Sequence, residues 1–265
     1  MNQNLYQRAE SCLLCCSLEG KADCVQELVQ DWRAGVLTRA GIAVTSIEQP
    51  GRPDLPEMVQ PRDLPRRKVT NPEGHAALIH SICHIEFNAI NLALDAVYRF
   101  HTMPDRYYSD WLQVAEEEAL HFELLSTHLQ SMGYVYGDFP AHNGLWEMTM
   151  KTAHDPMIRM ALVPRVLEAR GLDVTPGIIK KLESVNDVRG IEVLNIIQRD
   201  EIGHVEIGSY WFHYLCEQRG LDPELTFKTL FEQYMKGAIK GPLDRDARLR
   251  AGFSEAELNY LEGVK

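Results

Sequence analysis

Two short segments of the chain repeat the same arrangement of acidic residues and a histidine. Glu118 and His121 lie three residues apart in the first segment, and Glu201 and His204 lie three apart in the second. Residues at this spacing share one face of a helix, so each pair can present a carboxylate and an imidazole together. Two such helices, with one Glu from each of two others, supply the ligands of a two-metal site in a four-helix bundle.

The two remaining carboxylates come from the same repeat. Glu86 stands about thirty residues before Glu118, and Glu168 stands at nearly the same distance before Glu201. Because a helix rises ~1.5 Å per residue, this separation lets an antiparallel helix pair bring its carboxylates to one level. Two hairpins of this kind would supply four carboxylates and two imidazoles. The predicted metal ligands are Glu86, Glu118, His121, Glu168, Glu201 and His204.

The helix faces that carry Glu86, Glu118 and Glu201 are otherwise apolar, and this pattern predicts burial. A buried carboxylate without a partner is costly and normally takes up a proton, and four together would be worse. Two divalent cations would neutralise four carboxylates, which gives a physical reason for the pattern. The residues expected to line the pocket beside the metals are Ile82, Ile90, Phe122 and Ile197.

Glu168 has an alternative role, because its apolar surroundings are the thinnest of the set. It could pair with Arg165 or Arg170, which are its neighbours in the chain. A single Glu-x-x-His pair is also a weak signal, whereas two copies at matched spacing are hard to produce by chance. Pro164 lies one turn before Glu168 and should kink the helix there.

Two further acidic residues are candidates for orienting the ligand histidines. Glu117 and Asp200 each lie four residues before a predicted ligand His and could accept the second ring N–H. That bond would set the tautomer of the imidazole. The alternative for both residues is an exposed charge beside the site.

Composition and charge limit the classes of function. With 265 residues, 45% of them hydrophobic, the chain can bury a full core. Its net charge of −11 argues against a general binder of nucleic acid or of a membrane surface. The local basic cluster Arg66-Arg67-Lys68 could touch a partner, although an exposed strap is the simpler interpretation. No apolar run of membrane-spanning length and no signal peptide are recognised.

The cysteines indicate a reducing compartment. They stand at positions 12, 15, 16, 24, 83 and 216, without the spacing of a disulfide framework. Cys12 and Cys15 lie on an apolar helix face with no second pair, which favours buried structural thiols over a metal or redox site. We therefore expect reduced thiols and a cytoplasmic protein.

No alternating pattern is long enough to indicate a strand, so the chain is predicted to be all-α. The predicted segments are an N-terminal helical hairpin (1–44), a Pro-rich strap or linker (45–71), a four-helix bundle (72–220) and a C-terminal helical extension (221–265). The third bundle helix is predicted to end at Gly171, with a short separate helix starting at Thr175-Pro176. Two more short helices are predicted in the C-terminal extension.

Residues 72–220 resemble the ferritin-like superfamily of carboxylate-bridged di-iron proteins, and the six predicted ligands fall on its ligand positions. Within them, residues 84–95 and 160–173 resemble a bacterial branch catalogued only as a domain of unknown function. The resemblance implies a ferritin-like bundle and two iron ions, with manganese as the alternative metal. It implies no substrate. The N-terminal extension and the short third helix argue against iron storage.

The leading hypothesis is a di-iron oxidase or oxygenase that uses O2 or peroxide. Turnover would need an external electron donor such as a ferredoxin or flavoprotein. The alternatives are an iron-handling protein with ferroxidase activity, a manganese catalase or peroxidase, a hydroxylase of modified tRNA, and a purely structural bundle. The acidic balance counts against the tRNA hypothesis. The oligomeric state stays open, with a homodimer among the alternatives.

Overall fold

The computed structural model describes residues 3–235 and 241–264. Within these residues the chain is all-α and contains no β-strand, which confirms the predicted fold class. The outer limits of the predicted terminal segments, Met1 and Lys265, lie outside the described residues. The helices are α1 (Leu5–Leu13), α2 (Leu18–Arg33), α3 (Pro72–Arg99), α4 (Asp105–Ser131), α5 (Gly144–Lys151), α6 (Pro156–Leu162), α7 (Ala169–Glu183), α8 (Val188–Gln218), α9 (Pro223–Tyr234), α10 (Arg245–Arg250) and α11 (Glu255–Gly263).

Local capping chemistry explains where the predicted helices begin. The Asn71 side chain accepts a hydrogen bond from the backbone N–H of Glu73 at the start of α3, and a proline occupies the first helical position. The starts of α6 and α9 follow the same rule, with an aspartate cap and a proline. Ser254 and Glu257 form a reciprocal capping box at the start of α11. These signals need no tertiary contact, so sequence inspection can find them.

The chain divides into two compact units, Met1–Met150 and Lys151–Lys265. In the first unit, α3 and α4 form the central hairpin, α1 packs on α3, and α2 packs on α4. The Pro-rich segment packs on this unit through backbone bonds such as Val59 N–H to the Ala141 carbonyl. The first unit is therefore a helical hairpin with a second hairpin and a strap against it.

Helix α3 differs from the expectation that the chain has no apolar run of membrane-spanning length. It is long and apolar enough to cross a membrane, judged by length and composition alone, whereas no such run was expected. Most of that stretch, 78%, is buried inside the protein, which is also the behaviour of a core helix. The apolar character of α3 follows from its packing against α1 and α4.

The second unit corrects the predicted end of the third bundle helix. The chain stays helical from α6 through a π-helical segment, Val163–Glu168, and on through α7. Neither Gly171 nor Pro176 ends it. Pro176 has no N–H to donate to the Leu172 carbonyl, but the Gln198 side chain on α8 donates to that carbonyl at 3.3 Å. A tertiary contact therefore replaces the bond that the proline removes.

Two other helices were missing from the sequence interpretation. These are α5 and α10, which have eight and six residues. As a result, the described part of the C-terminal extension holds three helices instead of two. Elements this short carry little periodicity, so their sequence signal is weak.

The cysteines also differ from the expectation of reduced thiols. Cys12 and Cys24 form a disulfide that joins α1 to α2. Cys15, Cys16, Cys83 and Cys216 are free. The expectation was wrong for Cys12 and Cys24 because their contact depends on how the α1–α2 hairpin closes, which the spacing alone does not specify.

Candidate metal centre

The first unit brings three of the predicted ligands together. Glu86 projects from α3, and Glu118 and His121 project from α4; we call these residues the first triad. Nδ1 of His121 lies 3.2 Å from Oε2 of Glu86 and 3.5 Å from Oε2 of Glu118. One ligand atom from each residue lies within 4.8 Å of the others. The three side chains are 3%, 1% and 0% exposed, so the first triad is a buried cluster that could hold a metal ion.

The electrostatics of the first triad match a site built for a cation. Burial by itself lowers the pKa of His121, but the hydrogen bonds and negative charges of Glu118 and Glu86 outweigh it and raise the pKa to about 11. The imidazole nitrogen therefore carries a proton at the point where a metal would bind. Carboxylate oxygens and an imidazole nitrogen are the donor types that iron, manganese and zinc accept.

Three apolar residues of the first unit were predicted to line the pocket, and all three are buried: Ile82, Ile90 and Phe122. Their place beside the triad stays a prediction. The thiol of Cys83 donates to the Phe122 carbonyl, and burial raises the pKa of this thiol well above its usual range. Cys83 is thus a protonated structural thiol. The triad side chains are themselves buried away from solvent, which strengthens the charge interactions among them.

Tyr136 was not anticipated, because it lies in a loop without periodic pattern. Its ring packs against Phe122 at 5.2 Å between centroids. His84 Nε2 lies 3.1 Å from the His142 carbonyl and donates to it, so Nδ1 accepts the Tyr136 hydroxyl at 2.8 Å. Burial lowers the pKa of His84 to about 4, which keeps this imidazole neutral. The hydrogen bond to His84 holds the Tyr136 ring against Phe122, the residue that follows His121.

The second unit carries the other three predicted ligands, Glu168, Glu201 and His204. Glu201 and His204 lie on α8, with Nδ1 of His204 3.7 Å from Oε1 of Glu201, and both are buried. Glu168 is the last residue of the π-helical segment; the residue is half-buried, and its Oε2 is buried. Ile197, predicted to line the pocket, is buried on α8.

Pro164 shapes the segment that carries Glu168. A kink was expected here, and the structure places a wider π-helical turn over Val163–Glu168, a feature that commonly accompanies kinks. The ring of Pro164 packs directly on Gly208 of α8, where an added Cβ would lie 2.3 Å from Pro164 Cγ. Glycine at this position lets the two helices approach each other. This contact sets the distance between the backbone around Glu168 and α8.

Replacing Gly208 by alanine is expected to destabilise the protein by about 1–3 kcal/mol, because the new methyl group overlaps the Pro164 ring. The matched control is Gly203→Ala on the same helix, where the added Cβ meets nothing within 4 Å. That change should stabilise the helix by up to about 1 kcal/mol. Urea unfolding of both variants measures the difference. Equal effects from the two changes would contradict the packing argument.

The arginines near Glu168 have other partners. Arg165 is fully buried and donates to Glu257 Oε2 at 2.7 Å and to Ser209 Oγ at 3.1 Å. Arg170 donates to Asp173 at 3.0 Å. The guanidinium of Arg165 also lies over the rings of Phe212, Phe227 and Phe253. The chain neighbours proposed as alternative partners of Glu168 thus bind other acids.

Both candidates for orienting the histidines are half-buried. Glu117 accepts a hydrogen bond from the Gln113 side chain at 3.0 Å. Asp200 accepts two from Arg199, at 2.8 and 3.1 Å. Their proposed role toward the ligand histidines stays a prediction.

Comparison with known proteins assigns the chain to a family. The family model described as Protein of unknown function (DUF455) matches residues 14–259. The chain is also similar to an "Uncharacterized protein" of Haemophilus influenzae (strain ATCC 51907 / DSM 11121 / KW20 / Rd), 49% identical over 220 residues, 80% of this chain and 76% of that protein. No solved structure matches the chain significantly. Because the matched region includes all six predicted ligands, from α3 to α8, and nearly the whole chain, this protein belongs to the DUF455 family.

Proposed function

We propose that this protein is a di-iron carboxylate protein that activates O2 as an oxidase or oxygenase. The observation that carries the proposal is the buried first triad, in which two carboxylates and one imidazole converge within 4.8 Å. In a purely structural bundle, burying two carboxylates beside a single imidazole would cost stability. A redox metal site needs these donors in a setting from which water is excluded.

The repeat in the sequence supports a pair of metal ions. Glu168, Glu201 and His204 have the same types and nearly the same spacing as the first triad. We propose that Glu168, Glu201 and His204 are metal ligands as well, as the ferritin-like proteins that the chain resembles have ligands at the corresponding positions. The donor set fits, since four carboxylates balance the charge of two divalent cations. An iron pair, when bound, would supply the redox chemistry with O2.

The residues of the chain have separate roles in this proposal. Glu86 and Glu118 supply negative charge to the cation, and His121 supplies a neutral nitrogen once its proton leaves. We propose that the buried side chains of Ile82, Ile90 and Phe122 keep water from the site. We propose that a ferredoxin or a flavoprotein delivers the electrons in the cytoplasm. The protein therefore holds and shields the metals, and its substrate class stays open.

The test is elemental analysis after anaerobic reconstitution with iron or manganese, followed by optical spectra on addition of O2 or peroxide. We expect about two iron ions per chain and a transient absorbance that depends on O2. Two manganese ions with rapid peroxide disproportionation would replace the proposal with a catalase. Many iron ions per chain would replace it with an iron-handling protein. No bound metal under any condition would overturn the proposal.

A further inference from the structure

Four of the six cysteines lie within the short α1–α2 hairpin, apart from the predicted metal ligands in sequence. Cys12 and Cys24 are bonded to each other. Cys15 is half-buried and free, and Cys16 is exposed and free. A disulfide with an adjacent free thiol has the components that thiol–disulfide exchange requires.

The third sulfur lies beside the disulfide on the α2 side. Cys15 is the second residue after α1, and its N–H donates to the Cys12 carbonyl at 3.2 Å. Its Sγ lies 3.2 Å from the position that a Cβ at Gly20 would occupy. Gly20 and Cys24 are four residues apart on α2, so they share one helix face. The Cys15 thiol is therefore about one helical turn from Cys24.

The backbone around Cys15 is held from two sides. The ammonium of buried Lys21 donates to the carbonyls of Cys12 and Leu13, at 3.0 and 2.9 Å. From the strap, the N–H of Gly51 donates to the same Leu13 carbonyl at 2.8 Å. A Cβ at Gly51 would lie 2.5 Å from the Cys15 carbonyl oxygen, so the strap backbone touches this turn. The turn thus holds the Cys15 thiol in place.

The buried ammonium of Lys21 lies within electrostatic range of the two free thiols. Burial lowers the pKa of Lys21 to about 8, and the charges of Cys15 and Cys16 act on that pKa in the opposite direction. Lys21 therefore supplies a cation near the attacking sulfur, as is common at thiol–disulfide exchange sites.

We propose that the α1–α2 turn is a thiol–disulfide exchange site in which Cys15 attacks Cys24. The Cys15–Cys24 bond forms, the Cys12–Cys24 bond breaks, and the proton lost by Cys15 ends on Cys12. The exchange is an isomerisation, so it consumes no oxidant or reductant. Cys24 is half-buried, so the exchange replaces a bond with one fully buried sulfur, Cys12, by a bond in which both sulfurs are half-buried and open to an external dithiol. The chemical class of the partner is therefore a dithiol reductant.

This exchange would release α1 from α2 without any role for the metal ligands. Helix α1 packs on α3, which carries Glu86, and α2 packs on α4, which carries Glu118. The covalent link between the outer helices would then depend on the thiol state of the surroundings. The proposal is independent of the proposed di-iron function and can be tested in metal-free protein.

The test measures the rate at which dithiothreitol reduces the disulfide in full-length protein, followed by alkylation and peptide mass mapping. Cys15→Ser should slow reduction about tenfold, because the reductant then meets only the bond whose Cys12 sulfur is fully buried. Cys16→Ser, which removes the more exposed thiol, is the matched control and should react like the wild type. Mapping of partly reduced wild type should also find a Cys15–Cys24 bond.

Three outcomes would overturn the proposal. One is an unchanged reduction rate in Cys15→Ser, and another is an equal slowing in Cys16→Ser. The third is air-equilibrated wild type without a Cys12–Cys24 bond.

Gly20→Ala provides a second variant that keeps every cysteine. Its added methyl group should displace the Cys15 thiol and slow reduction of the disulfide, as Cys15→Ser does.

Discussion

Replacing Glu118 by glutamine is expected to lower metal affinity more than about a hundredfold, since losing even an outer partner of a metal ligand typically costs 10–100-fold. The change removes one of the two carboxylates beside His121 and keeps the size of the side chain. Metal-free protein should stay at least as stable as the wild type, because one negative charge leaves a buried cluster. Metal content after reconstitution and thermal unfolding of metal-free protein measure both effects.

The matched control is Glu123→Gln on the same helix. Glu123 is exposed, so this change removes the same charge from α4 without touching the first triad. It should leave metal content and stability unchanged. Full metal content in Glu118→Gln would show that Glu118 is not a ligand. Equal loss in both variants would point to the net charge of the helix instead.

Replacing Glu257 by alanine is expected to destabilise the protein by about 3–5 kcal/mol, the usual cost of leaving a buried charge without its partner. Glu257 is 3% exposed and accepts the Arg165 guanidinium at 2.7 Å. It also caps α11 through the Ser254 N–H. Arg165 would keep Ser209 and three aromatic rings around it but no counter-charge.

Urea unfolding of Glu257→Ala measures this loss. The control is Glu262→Ala, which removes an exposed carboxylate of the same helix from its contact with Arg245 and should change stability little. The double variant Arg165→Met with Glu257→Leu should recover most of the stability, because no buried charge remains. A failure of the double variant to recover would mean that the ion pair has a specific structural role. A small loss in Glu257→Ala would contradict the assigned burial.

The same ion pair should matter for Glu168, since Arg165 lies in the same π-helical segment. Arg165 bonds to Ser209 on α8 and to Glu257 on α11, so the C-terminal extension contributes to holding this segment. Arg248 and Asp173, whose side chains are both fully buried, add a second ion pair between α10 and α7, at 2.8 Å. The extension is therefore part of the packing of the second unit.

The amino-acid sequence alone determined the all-α class, most helix boundaries and the burial of Glu86, Glu118 and His121. These features depend on local signals: caps at Asn71 and Ser254, helical periodicity, and acids set within apolar stripes. The three-residue spacing places Glu118 beside His121 in any helix. The matching Glu86 follows from hairpin geometry, since a short turn limits which residues of two antiparallel helices can meet.

Tertiary structure alone decided the remaining features, because each depends on a partner distant in sequence. Helix α7 continues through Pro176, and the Gln198 side chain supplies the hydrogen bond to the Leu172 carbonyl that the proline cannot. The π-helical segment fits because Gly208 leaves room for Pro164. The Cys12–Cys24 bond and the Arg165–Glu257 pair likewise require contacts that no local pattern specifies. Local chemistry selected the elements and the candidate ligands, and packing between distant residues decided how those elements continue and which charges they bury.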